Sequence, residues 1–193
     1  TRPEARFTIA CGPLAAPLFR STPRLERLIV MAKRKGGGHW LDLWRKAAPQ
    51  RWDLVVDLRG SATSWFLAAR ERRVKRRLEL ERDPPVHKVR EAAEVLGLDP
   101  PPAPVLWLDE AAKAEAAERL PAGAPVLALA PAAATRFKEW PAERFGDLAA
   151  RLTAPDGPMP DARVALFGGP GDEATSKAAA AGLDAARVID LTG

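Results

Sequence analysis

VLALAPAAATRFKEWPAERF, residues 126–145, is the stretch whose reading decides the fold. Its first five residues are continuously apolar, as expected of a strand covered on both faces. Pro131 ends that strand and opens a loop of small residues that lets a ligand approach backbone N–H groups. One cation, Lys138, stands just before Trp140-Pro141, and proline suits the first turn of a helix, where its missing N–H costs nothing. A strand that feeds a helix N-terminus through such a loop, with a lysine beside it, is built to hold an anion, most often a phosphate. A cation opposes the dipole at that helix end, so Lys138 reads as placed for a ligand. Thr135 and Arg136 are positioned either to hydrogen-bond the same anion or to serve as ordinary loop polarity. Trp140 reads as a packing residue.

Working outward, the layout recurs once. RVALFGGPGDEA begins at residue 163, and its glycines Gly168 and Gly169 permit close backbone approach at the carboxyl end of a strand, where α/β folds bind ligands. This second phosphate-loop candidate is not the dinucleotide fingerprint, because the glycine spacing and Pro170 do not fit. Asp172 and Glu173 at the next helix start either complement the helix dipole or accept hydrogen bonds from ribose hydroxyls. Earlier in the chain, LVVDL ends in Arg59-Gly60-Ser61. Here Gly60 permits a tight turn and Ser61 is expected to N-cap a helix, while Arg59 at the strand's carboxyl end calls for a ligand or partner. His87, beside Pro84-Pro85, reads as a capping or packing histidine with a second reading as a substrate contact. His39 and His87 lie far from each other and from Cys or acidic residues at ligand spacing, so no metal site is expected. No serine or cysteine nucleophile signature is present.

The rest of the chain alternates in the same way. Strands are expected over 6–11, 25–31, 53–58, 74–78, 105–108, 126–130, 163–167 and 188–191, and helices over 14–20, 39–48, 61–70, 86–96, 110–120, 142–152 and 172–181. Strand–helix–strand alternation at this spacing argues for an α/β protein with parallel sheets and covering helices. The break PAGAP at 121–125 places a domain boundary there, giving domains 1–121 and 122–193. Both ends read as cut, the first almost directly in a strand and the second where a strand has ended.

Of 193 residues, 47% are hydrophobic and 28% charged, a globular balance sufficient for a core. One cysteine, Cys11, excludes an internal disulfide and suggests a reducing compartment. No signal peptide and no apolar run near the ~18 residues that span a bilayer is seen. The net charge of +5 is concentrated in RERRVKRR, residues 70–77, with six cations and one acid. That run is either a solvated edge or a surface for an anionic partner such as nucleic acid, acidic lipid or a phosphorylated glycolipid.

The run LALAPAAATRFKEWPAERFGDLAARL, followed by RVALFGGPGDEA and VIDLTG, resembles the second half of glycosyltransferase family 9, the ADP-heptose:lipopolysaccharide heptosyltransferases. RWDLVVDLRGSATSWFLAARERR and VHKVREAAEVLGL are similar to that family's first domain, so the resemblance runs from about residue 6 to 193. It implies two facing Rossmann-like domains of the GT-B type, both incomplete in this chain. The activity it implies is inverting, metal-independent transfer of heptose from ADP-heptose to an inner-core acceptor at the cytoplasmic membrane face. No cofactor is implied beyond the nucleotide-sugar donor. By position, Lys138 would contact the donor phosphates, with Ala133, Ala134 and Thr135 lining the same place. Gly168 and Gly169 would form the glycine turn, Asp172 and Glu173 would meet the nucleotide ribose, and Thr192 and Gly193 would border the nucleotide. Arg59, Ser61 and His87 would face the phosphorylated acceptor. Family members carry the general base in a Gly-Asp loop of a first βα unit that this chain lacks, and an Asp-Ser-Gly…His segment beyond its last residue. The fragment is therefore expected not to turn over alone. Ala133 and Ala134 stand where some relatives bear hydroxyls. The alternatives are a relative using another nucleotide sugar, or a basic α/β module that binds nucleic acid through residues 70–77.

Overall fold

The computed structural model describes residues 2–75, 86–120 and 122–193. Seven parallel-paired strands and six α-helices lie among them. The chain divides into two compact units, Thr1–Asp109 and Glu110–Gly193.

The second unit holds β5 (Val126–Leu129), β6 (Arg163–Gly168) and β7 (Val188–Thr192) in one parallel sheet of order β5-β6-β7. The central strand is the most apolar, and its Val164, Ala165 and Leu166 are buried in succession, as a strand covered on both faces must be. Leu129, Val164 and Leu166 pack with Ala149 of α5 (Ala142–Leu152) and Ala179 of α6 (Glu173–Ala180) into one cluster, flanked by Phe145, Leu183 and Val188. Gly146 lets the two helices meet backbone to backbone. A Cβ there would stand 2.7 Å from the carbonyl oxygen of Ala179. At the amino-terminal end of the sheet, the Arg187 guanidinium donates to the carbonyls of Thr153, Pro160 and Ala162 and so ties the 153–162 connection to the start of β7. The unit opens with α4 (Glu110–Arg119), an Ala-rich helix with no buried residue, supported by good intrinsic propensity and by the pairs Glu110–Lys113 and Glu115–Arg119.

The first unit contains β1 (Phe7–Cys11) paired with β2 (Leu25–Val30), and β3 (Trp52–Asp57) paired with β4 (Ala69–Val74), as separate two-stranded sheets. Its helices are α1 (Ala16–Phe19), α2 (Gly38–Ala47) and α3 (Lys88–Leu96). Cys11 is half-buried, and burial raises its thiol above the ordinary value.

Four expectations are corrected here. The helix expected over 61–70 is a short 3-10 turn, Ala62–Phe66, followed directly by β4. Ser and Thr compete with helical hydrogen bonding, and Ser64 Oγ donates to the Ser61 carbonyl instead of leaving it to a helix. The Arg72 guanidinium takes the carbonyls of Ser64 and Leu67, which fastens the turn to the strand. The strand expected over 74–78 therefore lies earlier, and residues 76–78 fall outside the described residues. The 105–108 run is not a strand, because no described strand pairs with it, and Val105 to Leu108 are more than two-fifths exposed. Finally, Pro141 sits at the N-cap of α5 with ψ 131°, one residue before the first turn where it was expected.

Candidate functional site

The carboxyl ends of β5, β6 and β7 lie side by side, so the loops that leave them gather at one edge of the sheet. This is where parallel α/β sheets present ligand-binding groups.

The loop after β5 runs from buried Pro131 through exposed Thr135 into a 3-10 turn, Arg136–Lys138. The turn closes on itself, with the Lys138 N–H donating to the Thr135 carbonyl at 2.9 Å and that of Glu139 to Arg136 at 3.2 Å. No acceptor among the described residues takes the N–H groups of Ala133, Ala134 or Thr135. The Lys138 ammonium is exposed and has no carboxylate partner among them either. Successive N–H groups without a protein acceptor, on an exposed loop that also carries the Lys138 cation, are donors of the kind that phosphate oxygens take. Trp140, at the position before the N-cap, packs edge-on against Phe145 with ring centroids 5.1 Å apart. That pairing is a hydrophobic staple, which fixes the angle at which the loop enters α5.

The turn after β6 is different in kind. The Asp172 carboxylate accepts the Gly169 N–H at 2.8 Å, and Glu173 accepts that of Gly171 at 3.1 Å. Hydrogen bonds from its own N–H and that of Gly171 hold the Glu173 carboxyl below its usual range. The glycine amides here already face carboxylates, so the turn is suited to hydroxyl groups rather than to a phosphate. Gly168 is required by space, because a Cβ would come within 2.9 Å of both the Asp172 Cβ and the Thr192 Cγ2. The end of β7 closes over the same point. The Gly193 N–H donates to the Gly168 carbonyl at 3.2 Å, and the Thr192 hydroxyl to Ser176 Oγ at 2.7 Å. Gly168, Asp172 and Thr192 thus meet at one place, with Gly169, Glu173 and Gly193 beside it.

The three other residues singled out in the sequence belong to the first unit. Asp57, at the end of β3, accepts the N–H groups of Arg59 and Gly60 on Oδ1, and both the N–H and the hydroxyl of Ser61 on Oδ2. Burial pushes this carboxyl up, but the hydrogen bonds from Ser61 and Arg59 outweigh it and hold it below the ordinary value. Ser61 therefore caps no helix with its side chain and spends its hydroxyl on Asp57. Gly60 takes φ +66°, with the Lys75 carbonyl 2.7 Å from where its Cβ would be, so only glycine fits the turn. Arg59 is exposed, and its guanidinium lies 5.8 Å from the Trp40 ring centroid. His87 caps α3, its Nδ1 accepting the Val89 N–H at 3.3 Å.

Cations of the basic run are engaged locally. Arg70 pairs with Asp53, Arg73 with Glu71, and Arg72 with backbone carbonyls. Lys75 Nζ lies 2.6 Å from the Glu91 carboxylate, which Lys88 also contacts at 2.8 Å. These two lysines, Lys75 first, draw the Glu91 carboxyl down to about 2. Arg76 and Arg77 lie outside the described residues. Among the described residues no cluster of His, Cys, Asp and Glu is suited to hold a metal ion, and no helix is long and apolar enough to cross a membrane.

The model of glycosyltransferase family 9 (heptosyltransferase) matches residues 59–193, from Arg59 through the Lys138 loop and the glycine turn to the last residue. The chain belongs to that family. Among solved structures, this family 9 chain is similar to a glycosyl transferase family 9 protein from Veillonella parvula DSM 2008, with a TM-score of 0.73 and 18% identity over 97% of this chain and 60% of that one. It is also similar to E. coli ADP-heptose lps heptosyltransferase II, with a TM-score of 0.65 and 20% identity, covering 99% of this chain and 64% of the other. A third likeness is to E. coli heptosyltransferase WaaC with ADP, at a TM-score of 0.64 and 19% identity over 98% of this chain and 66% of that chain. The α/β fold with parallel sheets is therefore the one those structures share. The chain spans between 60% and 66% of their length. No curated protein matches it by sequence.

Proposed function

We propose that the protein to which this chain belongs is an inverting, metal-independent heptosyltransferase of GT-B architecture, using ADP-heptose as donor and a phosphorylated lipopolysaccharide-core sugar as acceptor. The observation that carries the reading is the Lys138 loop, where the N–H groups of Ala133, Ala134 and Thr135 have no acceptor among the described residues and the exposed Lys138 has no carboxylate partner among them. In a member of this family such a site suits the donor diphosphate, and the relative WaaC is described with ADP. Asp172 and Glu173 would accept hydrogen bonds from the ribose hydroxyls, with Gly168, Gly169, Thr192 and Gly193 forming the wall beside them. In the first unit, exposed Arg59 would meet acceptor phosphates, with His87 and Ser61 facing the same acceptor and Ser61 bonded within the turn that presents Arg59.

The two domains are taken as 1–121 and 122–193, each Rossmann-like; this places α4 with the first, although by contacts it groups with the second unit. In transfer, a base outside this chain would remove the acceptor hydroxyl proton as that oxygen attacks the anomeric carbon. The bond to the diphosphate breaks, and Lys138 with the loop N–H groups stabilises the charge gathering on departing ADP. The chain alone would bind donor without turning it over. The whole protein would work in the cytoplasm, in peripheral contact with the inner face of the membrane.

Calorimetric titration of the chain with ADP tests the reading. Saturable binding is expected, weakened about ten-fold or more by Lys138→Ala through loss of a charge-assisted contact, and not displaced by excess duplex DNA. Unchanged affinity in Lys138→Ala, or absent binding in the wild type, would sink it.

A further inference from the structure

We propose that Ser176 is a positioning residue for the donor end of this molecule, acting through Thr192; the proposal rests on the donor-site reading above. Ser176 lies on α6 and is 0% exposed, one of only three buried polar residues among those described. It stands in the sequence EATSKAAA, where alanine would serve the helix better and would bury no hydroxyl. The helix therefore carries a buried polar atom that its own packing does not need.

Among the described residues, that hydroxyl has one partner. Ser176 Oγ accepts the Thr192 hydroxyl at 2.7 Å. Thr192 is the last residue of β7, and its other branch, Cγ2, is one of the two atoms, with the Asp172 Cβ, that leave no room for a Cβ on Gly168. Both substituents on a threonine Cβ turn together about one torsion, so holding the hydroxyl also fixes the methyl. Ser176 thereby sets the Thr192 methyl against the first glycine of the β6 turn. The neighbouring bonds share the same frame: Gly193 N–H to the Gly168 carbonyl, and Gly169 N–H to Asp172. Without the Ser176 hydroxyl, Thr192 is free to choose another rotamer, and the turn that presents Asp172 and Glu173 to a nucleoside diphosphate loses its support from below. Sequence alone hides this, because a serine among alanines on a helix reads as surface.

The test uses the full chain, with ADP alone as probe. Ser176→Ala, Thr192→Val and the double variant are titrated by calorimetry, and amide exchange at Gly169 and Gly193 is followed by NMR without ligand. Each single change is expected to weaken ADP binding about five-fold, the worth of one hydrogen bond. The double variant should be no weaker than the worse single one, and exchange at both glycines should quicken. Arg187→Lys, at the opposite end of the sheet, controls for general loosening: it should lower the melting temperature and leave ADP affinity alone. Additive losses in the double variant, or wild-type affinity with unchanged exchange in Ser176→Ala, would overturn the proposal. A wild-type chain that fails to bind ADP refutes the donor-site reading instead. Exchange then judges Ser176 by itself, and unchanged rates at Gly169 and Gly193 count against it.

Discussion

Two turns in this molecule follow parallel strands, contain glycine and use an aspartate to collect backbone N–H groups, yet they are built in opposite senses. After β3, Asp57 comes first and reaches forward to Arg59, Gly60 and Ser61, so both its oxygens are engaged by four donors. After β6, Asp172 comes last and reaches back to one donor, Gly169, at the threshold of a helix. The first arrangement consumes its carboxylate in making the turn and offers a ligand only what projects from it, the Arg59 side chain. The second leaves acceptor capacity on Asp172 and Glu173, at an edge where the neighbouring loop is electropositive. The same residue type is a structural part in one turn and a candidate ligand contact in the other, and only the count of hydrogen bonds separates the two.

That difference can be broken by substitution. Asp57→Ala should cost about 2 kcal/mol or more in urea denaturation, since it strands several donors at once, whereas Asp172→Ala should cost under about 1 kcal/mol and act mainly on ADP affinity. Equal losses would erase the distinction. The glycines sharpen it further. Gly60→Ala meets a backbone oxygen at 2.7 Å and a positive φ, and a destabilisation of roughly 1–3 kcal/mol is expected from that strain. Gly168→Ala would place a Cβ 2.9 Å from the Asp172 Cβ, which is fixed to the backbone, and from the Thr192 methyl, so overpacking of roughly 1–3 kcal/mol is expected, accompanied by weaker ADP binding.

The smallest effect is in acid. Glu91 is held by Lys75 and then Lys88, and its carboxyl falls from 4.5 to about 2 in the folded chain. A lowered folded-state value means that its contribution to stability is whole above 4.5 and is lost as pH falls toward about 2. Asp57, also lowered, acts in the same direction. An NMR titration of the Glu91 carboxyl carbon checks this, and Lys75→Met should move its midpoint back toward 4.5. A midpoint already at the ordinary value in the wild type would remove Glu91 from the account.

The strands β5 and β6 were legible because VLAL and VALF are apolar without interruption, and burial on both faces leaves that signature. β4 was not, because ARERRV carries its strand character beneath charges that pair with Asp53, Glu71 and backbone carbonyls. Periodicity cannot register such local neutralisation, so the same residues read as a helix end and a basic surface. Lys138 and the glycine turn stood out as unusual residue types at strand ends. The sharing of work between them did not, since it depends on which N–H groups already have acceptors. The hydroxyl pair Ser176–Thr192 joins residues distant in sequence and leaves no pattern in either segment.

The contact of α5 with α6 at Gly146 has a consequence for how the site meets a ligand. Each helix begins where one of the two loops ends, and no side chain at Gly146 lies between their backbones as a cushion. The gap between the lysine loop and the glycine turn is thus inherited from two rods in direct contact, as the span of a caliper is set by its locked beam. A ligand that spanned the two loops would therefore meet a spacing set by the helix contact rather than by loop side chains.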